Sequence, residues 1–457
     1  MLSTEQNNGS KALTRLETLF DEGSFVQTGR LVSDGDTAVP VVTGWGTIDG
    51  NPVYAFSQDR EVRSGAMTAA HAEKILKIYD LAAKTGCPVV GIYDSLGADI
   101  EKNNETMNAY GLLLAKAGQL SGVVPQISVV LGVCGASAAM LAAGADLVVM
   151  DKEAEFFLHG AFQLKAAGCA DAEKAGKADT AAANGVAHIV AEDENEALEK
   201  TRTLLNLLPS NNLACGSYFD FQAPAWTGYD SSKSGAELIA QIADDGSFLE
   251  LQKFFAAGAS VGFGTLAGQS TGFVACSYNE NAGKLGISEC SKIARFVRLC
   301  DSYSIPVVTL VNSDGFAVSG DEEIAGSLRQ ASMLAHTYAE ATTAKVSVVC
   351  GSAIGPVFMA LAGKTSGADL SYAWSDAVIS AVEPKTAVAI LTPDEDEAQA
   401  IAAYKNTTAS ASAAAGAAAV DDVIAAEATR DTLIAALDVL NGKRVTRMPK
   451  KQSNIRF

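Results

Sequence analysis

Short runs of apolar, mostly β-branched residues alternate along the chain with longer segments whose apolar residues recur at helical spacing. In the first half this pattern predicts strands at residues 41–49, 52–58 and 89–93, and helices at 69–84 and 105–121. The first two strands are joined at Asp49-Gly50, a strong hairpin signal. Strands that alternate with helices predict an α/β domain around a largely parallel sheet.

The stretch at residues 128–144, SVVLGVCGASAAMLAAG, organises this half. Its apolar run predicts a buried parallel strand, Gly132 and Gly135 predict a turn, and the alanine-rich remainder predicts a helix. The first N–H groups of a helix have no partner within the helix and lie at the positive end of its dipole. They therefore suit a developing oxyanion, although an ordinary turn between strand and helix shows the same pattern.

The remaining segments follow the same alternation. The pattern predicts a helix at residues 13–20, strands at 145–151, 154–158, 370–374 and 377–381, a helix at 192–208, and a linker at 209–234 rich in Gly, Pro, Ser and Asn. After the low-complexity patch 409–419, an amphipathic helix is predicted at 420–440. The basic C-terminal residues, interpreted as a solvated end, are Lys443, Arg444, Arg447, Lys450 and Lys451.

The second half repeats the first at a nearly constant offset. Gly44-Trp45-Gly46 has its counterpart 218 positions later in Gly262-Phe263-Gly264, and Lys74-Ile75 has its counterpart in Lys292-Ile293 at the same offset. A constant offset over such a length indicates duplication of one domain rather than a solenoid, whose period is much shorter. We therefore predict two α/β domains, 1–225 and 226–457.

Composition narrows the function. The chain has 53 acidic against 34 basic residues and a formal charge of −19, which argues against binding to nucleic acid or to anionic membranes. It has no apolar run of about 18 residues and no signal-peptide core at its start, so we expect no membrane span and a cytoplasmic location. Eight scattered cysteines without a C-x-x-C pair and four histidines without ligand spacing predict reduced thiols and no metal site.

Each half supplies two loops that could present backbone donors. These are residues 96–98 and 135–137 in the first half, and 314–316 and 354–356 in the second. The sequence contains no Walker loop, no G-x-G-x-x-G after the first strand and no H-E-x-x-H. A reaction carried mainly by backbone N–H groups, such as the stabilisation of an enolate, fits this sequence.

Several ordered motifs resemble a known family. They include VTGWGTIDGNPVYAFSQD (42–59), SGVVPQISVVLGVC (121–134), KIARFVRLCDSYSIPVVTLVNSDGF (292–316) and VDDVIAAEATRDTLIAAL (420–437). The chain resembles, over almost its whole length, the carboxyltransferase subunits of biotin-dependent acyl-CoA carboxylases and of sodium-pumping acyl-CoA decarboxylases. The resemblance implies two tandem crotonase-like domains. It also implies acyl-CoA on the N-terminal domain of one subunit and biotin on the C-terminal domain of a neighbour, within a homo-oligomer that is commonly a hexamer.

The resemblance also implies partners and site residues. Because the chain has no M-K-M biotinylation motif and no ATP-binding carboxylase half, biotin would arrive on a separate carrier protein, with a biotin carboxylase or a membrane decarboxylase subunit as further partner. The implied acyl-CoA pocket contains Ala98, Ala136 and Ser137 with Gly97 and Gly135. The implied biotin pocket contains Phe316, Gly355 and Pro356 with Gly315. The family usually has Gly-Gly at 136–137 and a residue with a backbone N–H at 356.

Three functions stay open at this point. The leading hypothesis is an acyl-CoA carboxyltransferase, and the second is a non-catalytic scaffold of the same kind of complex. The third is a biotin-independent crotonase-type enzyme such as a hydratase, which would need paired carboxylates, for which Asp99 and Glu101 are the first-half candidates. Arg295 and Arg298 lie one helical turn apart and could meet a CoA phosphate or form an ordinary polar helix face.

Overall fold

The computed structural model describes residues 9–446, 449 and 454. The chain divides into two compact units, residues 1–217 and 218–457. The division falls inside the predicted linker, which runs from the end of the helix Glu194–Leu207 to the start of the helix Gly235–Ala240. Of the basic C-terminal residues, Arg447, Lys450 and Lys451 lie outside the described residues.

The first unit is built on an eight-stranded sheet that is antiparallel at one side and parallel across the rest. The path across the sheet is Val26–Thr28, Val41–Ile48, Asn51–Gln58, Val89–Ser95, Gln126–Gly135, Leu147–Asp151 and Ile189–Ala191, and Glu155–Phe157 also pairs with Gln126–Gly135. A separate small hairpin joins Ser33–Asp34 to Thr37–Ala38. The predicted hairpin turn is present, with Asp49 and Gly50 both at positive φ.

The second unit repeats this sheet strand for strand. Its path is Leu249–Leu251, Ala259–Leu266, Gln269–Cys276, Val307–Ser313, Lys345–Ile354, Leu370–Trp374 and Asp422–Ile424, and Val378–Ser380 also pairs with Lys345–Ile354. The second and third strands lie 218 positions after their first-unit counterparts, without change of length. The prediction of a duplicated α/β fold is confirmed.

Helices cover the sheets. Those of the first unit are Lys11–Leu19, Ala69–Thr85, Asn103–Leu120, Ala136–Ala143, Ala161–Ala166, Ala178–Ala183 and Glu194–Leu207, with 3₁₀ turns at Arg63–Gly65, Ile100–Lys102 and Ala172–Lys174. Local chemistry fixes their ends. The helix Ala69–Thr85 begins where the Thr68 side chain accepts a hydrogen bond from the His71 N–H, and it ends at Gly86 with φ of 67°.

In the second unit four helices follow the strand Leu370–Trp374, whereas three follow the equivalent strand of the first unit, Leu147–Asp151. The helices of the second unit are Gly235–Ala240, Ile287–Ser302, Gly320–Ala325, Ser327–Glu340, Pro384–Leu391, Glu397–Asn406, Ala411–Gly416 and Thr429–Leu440, with 3₁₀ turns at Asn281–Gly283, Lys364–Ser366 and Ala426–Ala428 and a π-helical segment at Phe358–Ala362. Among the residues that the structure describes, no helix is long and apolar enough to cross a membrane.

Each unit has its own apolar core, and one polar feature recurs in both. Phe56, Ile75 and Tyr93 are buried in the first core, and Phe273 and Leu433 are buried in the second. In the repeated Lys-Ile motif, both ammonium groups are buried and donate to backbone carbonyls: Lys74 to Val41, and Lys292 to Gln252, Phe255 and Ala259. Burial lowers the pKa of each lysine to about 8.

Two sequence predictions are wrong in detail. The helix predicted at 420–440 covers only Thr429–Leu440, because Asp422–Ile424 pairs as a parallel strand with Leu370–Trp374 and tertiary pairing overrides the local pattern. Gly132 lies inside the strand Gln126–Gly135 rather than in the turn after it. A Cβ atom there would overlap the Asp94 carboxylate, so Gly132 serves close packing and not chain reversal.

Candidate functional site

Two loops of the first unit begin side by side at the carboxyl edge of its sheet. The strands Val89–Ser95 and Gln126–Gly135 are parallel neighbours, and Ser95 pairs with Cys134 at their ends. The loops 96–98 and 135–137 follow within three residues of that pair. The structure therefore brings together the predicted residues of the first pocket at the edge where open α/β sheets bind ligands.

The second unit repeats the arrangement. Ser313 pairs with Ala353 at the ends of the strands Val307–Ser313 and Lys345–Ile354. The loops 314–316 and 354–356 begin there, and a Cβ atom on Gly315 would lie 3.5 Å from the Ile354 carbonyl oxygen. Gly315, Phe316, Gly355 and Pro356 thus belong to one small region of the second unit.

The backbone of Ala98 is oriented by a one-residue parallel bridge to Met67. The Met67 N–H donates to the Gly97 carbonyl at 2.9 Å, and the Asp99 N–H donates to the Met67 carbonyl at 3.2 Å. Both bonds come from the residues flanking Ala98. Because N–H groups alternate sides along an extended chain, the Ala98 N–H faces away from Met67. Ala98 itself is exposed, so a ligand can approach it.

Phe316 is held in the same way. The Leu285 N–H donates to the Gly315 carbonyl and the Ala317 N–H donates to the Leu285 carbonyl, both at 3.0 Å. The Phe316 N–H therefore has the orientation that the Ala98 N–H has in the first unit. The same pair of flanking backbone bonds thus orients two backbone donors, Ala98 and Phe316, that lie 218 positions apart in the chain.

The helix beside the first loop begins with an unusual backbone conformation. Ala136 has φ of 52°, in the left-handed region that alanine rarely adopts, and Gly355 has φ of 64° at the equivalent place. Ala136 is exposed and Ser137 is half-buried at the first turn of the helix Ala136–Ala143. Strain of this kind persists where the surrounding structure enforces it, which occurs most often at functional sites.

Pro356 removes from the second helix start one N–H that Ser137 keeps in the first. The Gly355 N–H donates to the Ser380 carbonyl at 2.7 Å, so a ligand would have to displace that bond to use it. Pro356 has no N–H, and the chain continues through Val357 into the π-helical segment Phe358–Ala362. The sequence contains the proline but gives no sign of the Ser380 bond, which arises from pairing between Lys345–Ile354 and Val378–Ser380.

A buried charge network behind the first loop was not predicted. Arg15 is 3 % exposed and donates to Asp94 at 3.0 Å, to the Leu131 carbonyl at 3.2 Å and to Glu194 at 2.7 Å. It joins the N-terminal helix to the two strands that carry the loops. A solitary arginine in an amphipathic helix gives no sequence signal for this role.

In the second unit an amide replaces the charge. Asn312, at the position equivalent to Asp94, accepts a hydrogen bond from the Ser352 N–H at 2.8 Å. A Cβ atom on Gly351 would lie 2.3 Å from its side-chain oxygen, just as one on Gly132 would lie 2.0 Å from the Asp94 carboxylate. The glycine and the polar side chain facing it are thus repeated although the charge is not.

Of the other candidate side chains, Asp99 is engaged in structural contacts and the rest lie on the surface. Asp99 is paired with Arg63 and accepts from the Glu101 N–H at 3.1 Å, which caps the 3₁₀ turn Ile100–Lys102. Glu101 is exposed. A carboxylate held as a cap and ion-pair partner is poorly placed for acid–base work with its neighbour. Arg295 and Arg298 lie on the exposed side of the helix Ile287–Ser302.

Two of the histidines have defined backbone partners. His71 is buried with Nδ1 3.3 Å from the Ala66 carbonyl, and burial lowers its pKa to about 3. His188 Nδ1 accepts from the Val148 N–H at 3.1 Å. In the part of the chain that the structure describes, no three His, Cys, Asp or Glu side chains are grouped so that they could hold a metal ion. The eight cysteines are free thiols, and only Cys169 and Cys215 are exposed.

The sequence matches the carboxyl transferase domain over residues 4–455. The chain therefore belongs to the carboxyltransferase family of biotin-dependent acyl-CoA carboxylases and decarboxylases, as the sequence motifs indicated. It is 35% identical to the methylmalonyl-CoA decarboxylase subunit alpha of Veillonella parvula, an alignment that covers 97% of this chain and 92% of that protein. It is also 35% identical to the propionyl-CoA carboxylase beta chain of Saccharopolyspora erythraea, over 97% and 90% of the two chains.

The fold has a solved counterpart. Transcarboxylase 12S, a hexamer crystallised with methylmalonyl-CoA and methylmalonic acid bound, superposes with a TM-score of 0.93 at 33% identity, over 99% of this chain and 94% of that one. The predicted crotonase-like fold is confirmed by this match together with the two sheets of equal topology.

Proposed function

We propose that this protein transfers a carboxyl group between a short carboxyacyl-CoA and biotin carried by a separate protein. The observation that carries the proposal is the repeated donor device, in which Ala98 and Phe316 are flanked by the same pair of backbone bonds beside a helix start. Residues 1–225 form the acyl-CoA side and residues 226–457 the biotin side. One enolate-like oxyanion per side then has a backbone donor aimed at it.

The chemistry needs little side-chain acid–base work. Transfer to biotin breaks the bond between the α-carbon and the carboxyl group, and the electron pair remains on the thioester as an enolate. The ureido nitrogen of the carrier-bound substrate takes up the CO2, and its proton passes to the α-carbon. On the first side the N–H groups of Ala98, Ala136 and Ser137 stabilise the thioester oxyanion, with Gly97 and Gly135 shaping the loops. On the second side Phe316 and the start of the helix at Gly355-Pro356 stabilise the ureido oxygen, with Gly315 in the same role as Gly97.

The pocket favours small acyl groups. The methyl group of Ala136 and the hydroxymethyl group of Ser137 stand where the family usually has two glycines, and both residues reach the surface. They narrow the approach to the donors, which suits a propionyl or acetyl chain better than a long one. The relatives that act on methylmalonyl-CoA and propionyl-CoA support the same size class.

The partners follow from the family. A biotin carrier protein supplies the second substrate, and a biotin carboxylase or a membrane decarboxylase subunit completes the reaction sequence. The hexamer of transcarboxylase 12S supports a homo-oligomer in which the acyl-CoA side of one subunit faces the biotin side of another. We place this assembly in the cytoplasm.

The test is transfer of label from [carboxyl-14C]methylmalonyl-CoA, or from the malonyl analogue, to free biotin. A carboxyltransferase yields labelled carboxybiotin and an equal amount of acyl-CoA. The same incubation without biotin provides the control. Hydration of an enoyl-CoA without biotin would instead support a hydratase, against which the engagement of Asp99 by Arg63 already argues.

A second candidate is a non-catalytic scaffold. The observation that favours it is the missing donor at Pro356, which has no N–H. A scaffold binds acyl-CoA in calorimetry and associates with the other subunits, but forms no carboxybiotin. The two candidates are thus separated by the label assay alone.

A further inference from the structure

We infer that Ser95 and Ser313 are positioning residues that aim the backbone N–H groups of Ala98 and Phe316. The inference deepens the proposed function and rests on it for its catalytic consequence. Neither serine contacts the open face of its loop: both side chains are fully buried. They act through the glycines two residues further along the chain.

The Ser95 hydroxyl uses its donor and one acceptor position to tie two segments together. Oγ donates to the Gly65 carbonyl at 2.7 Å and accepts from the Gly97 N–H at 3.0 Å. Gly97 has φ of 106°, a conformation open to glycine, and it directly precedes Ala98. The hydroxyl therefore holds the Leu96–Gly97 peptide plane. The bond from the Met67 N–H to the Gly97 carbonyl holds the next plane, which carries the Ala98 N–H, so the two bonds together determine where that N–H points.

Ser313 makes the same two bonds in the second unit. Its Oγ donates to the Gly283 carbonyl at 2.7 Å and accepts from the Gly315 N–H at 3.2 Å, and unlike Ser95 it also lies 3.2 Å from the carbonyl of that glycine. Gly315 has φ of 108°, within two degrees of Gly97. The residues around this motif differ between the units, with Leu96 against Asp314 and Ala98 against Phe316, while the serine, the glycine and these two bonds are the same.

The anchor of each serine is a strained turn. Arg63, Ser64 and Gly65 have φ of 48°, 55° and 73°, and Asn281, Ala282 and Gly283 have φ of 50°, 54° and 62°. Consecutive left-handed residues other than glycine are costly and persist only where other contacts hold them.

These turns also accept hydrogen bonds from the backbone of the loops. The Ser64 carbonyl accepts from the Leu96 N–H at 3.0 Å, and the Ala282 carbonyl accepts from the Asp314 N–H at 3.1 Å. Each strained turn therefore presents two successive carbonyls to the donor loop, and the serine hydroxyl occupies one of them. A turn of this kind serves as a rigid template for the loop.

Removal of the hydroxyl frees the Gly97 or Gly315 N–H and leaves a buried carbonyl without its donor. The loop then relaxes, and the N–H of Ala98 or Phe316 no longer has a fixed orientation. A misplacement of about 1 Å can reduce the rate about 10²-fold, because an oxyanion donor works only at the position where charge develops. Substrate affinity depends on other contacts and changes little.

The test compares Ser95→Ala and Ser313→Ala with the matched control Ser371→Ala. Ser371 is also fully buried, and its Oγ donates to the Ala362 carbonyl at 2.8 Å and contacts Ser347 Oγ at 3.1 Å, at the other end of the sheet. Label transfer gives kcat and KM, and hydrogen exchange by mass spectrometry reports on residues 96–102 and 314–320.

For each site variant we expect kcat to fall about 10- to 100-fold, with KM for acyl-CoA within about threefold of the wild-type value. Exchange is expected to rise in the loop that follows the substituted serine and not in its counterpart. Ser371→Ala should keep kcat within about twofold. If the alanine variants do not fold, Ser95→Cys and Ser313→Cys are measured in their place, because a thiol keeps a weak donor. Their kcat should lie between the wild-type value and the value expected for the alanine variants.

Wild-type kcat in the site variants, or unchanged exchange in their loops, overturns the inference. An equal loss of kcat in Ser371→Ala would also overturn it, since the effect would then be one of stability. If the wild-type protein forms no carboxybiotin, the proposed function fails by itself. Exchange then decides the positioning role: a local rise supports it and unchanged exchange overturns it.

Discussion

Ala136 and Gly355 adopt the same left-handed backbone, with φ of 52° and 64°, at the first helix after the long parallel strand of their units. The fold therefore requires this conformation at both places, whichever residue occupies it. Glycine adopts it without strain, whereas alanine is held there at a cost of roughly 1–2 kcal/mol. The first unit thus carries a strained residue at the helix start that we propose as part of the acyl-CoA site.

Ala136→Gly should raise the stability of the protein by up to about 1 kcal/mol, because the relief of strain exceeds the added freedom of the unfolded chain. Gly355→Ala should lower it by about the same amount. Thermal unfolding measures both. The control is Ala142→Gly, in the right-handed part of the same helix, which should lose about 1 kcal/mol. A loss in Ala136→Gly as large as in this control would contradict the interpretation of strain.

Gly132→Ala should destabilise the first unit by about 1–3 kcal/mol or more, because its Cβ would meet the Asp94 carboxylate at 2.0 Å. Asp94 cannot simply move away, since Arg15 and its partners hold it. Denaturant unfolding provides the measurement. Gly111→Ala is the control: it lies in the helix Asn103–Leu120 with open space around it and should be neutral or slightly stabilising. Equal effects of the two substitutions would refute the packing role of Gly132.

His71 should make the protein less stable as the pH falls below about 6.5. Burial lowers its pKa to about 3 in the folded state, so between these values the unfolded chain binds a proton that the folded chain does not. The loss amounts to about 2–3 kcal/mol at pH 4.5 relative to pH 7.5. His71→Gln should remove this part of the pH dependence.

The measurement for His71 is the free energy of unfolding at both pH values. His159→Gln, the same substitution at an exposed position, serves as the control. If His71→Gln destabilises the protein equally at both pH values, the buried imidazole does not titrate as stated.

Pro356→Gly should raise carboxyl transfer at least about tenfold, because it adds a backbone donor at the start of the second helix, and one such donor is typically worth about 10²–10³ in rate. Acyl-CoA affinity should change little, since we propose that this substrate binds to the first unit. Pro356→Ala restores the same N–H without the flexibility of glycine and should raise the rate as well. A higher rate in Pro356→Gly alone would indicate that added flexibility, not the added N–H, is the cause. A lower rate in both variants would show that an N–H at position 356 does not stabilise the oxyanion.

Local chemistry made much of the fold predictable. The Asp49-Gly50 hairpin, the helix closed by Gly86 and the strand-turn-helix unit around Ala136 all depend on nearby residues, and the structure contains them. The duplication was visible because the second and third strands kept their length and spacing. The duplication also indicated two pairs of loops, and their role as donor sites stays a prediction.

Long-range contacts explain what the sequence could not show. The bond from Gly355 to Ser380 and the pairing of Asp422–Ile424 with Leu370–Trp374 join segments far apart in the chain. Arg15 reaches Asp94 across the unit, and nothing in its own helix marks it. The strained conformation of Ala136 is imposed by the sheet edge against the local preference of alanine.

The proposed carboxyl transfer through biotin is tested most directly by label exchange with and without biotin. [Carboxyl-14C]methylmalonyl-CoA is incubated with unlabelled acetyl-CoA, and labelled malonyl-CoA is measured over a range of biotin concentrations. The account predicts label in malonyl-CoA that rises with biotin and saturates, is absent without it, and increases in Pro356→Gly. Exchange that proceeds equally without biotin, or no exchange at saturating biotin in either protein, would contradict it.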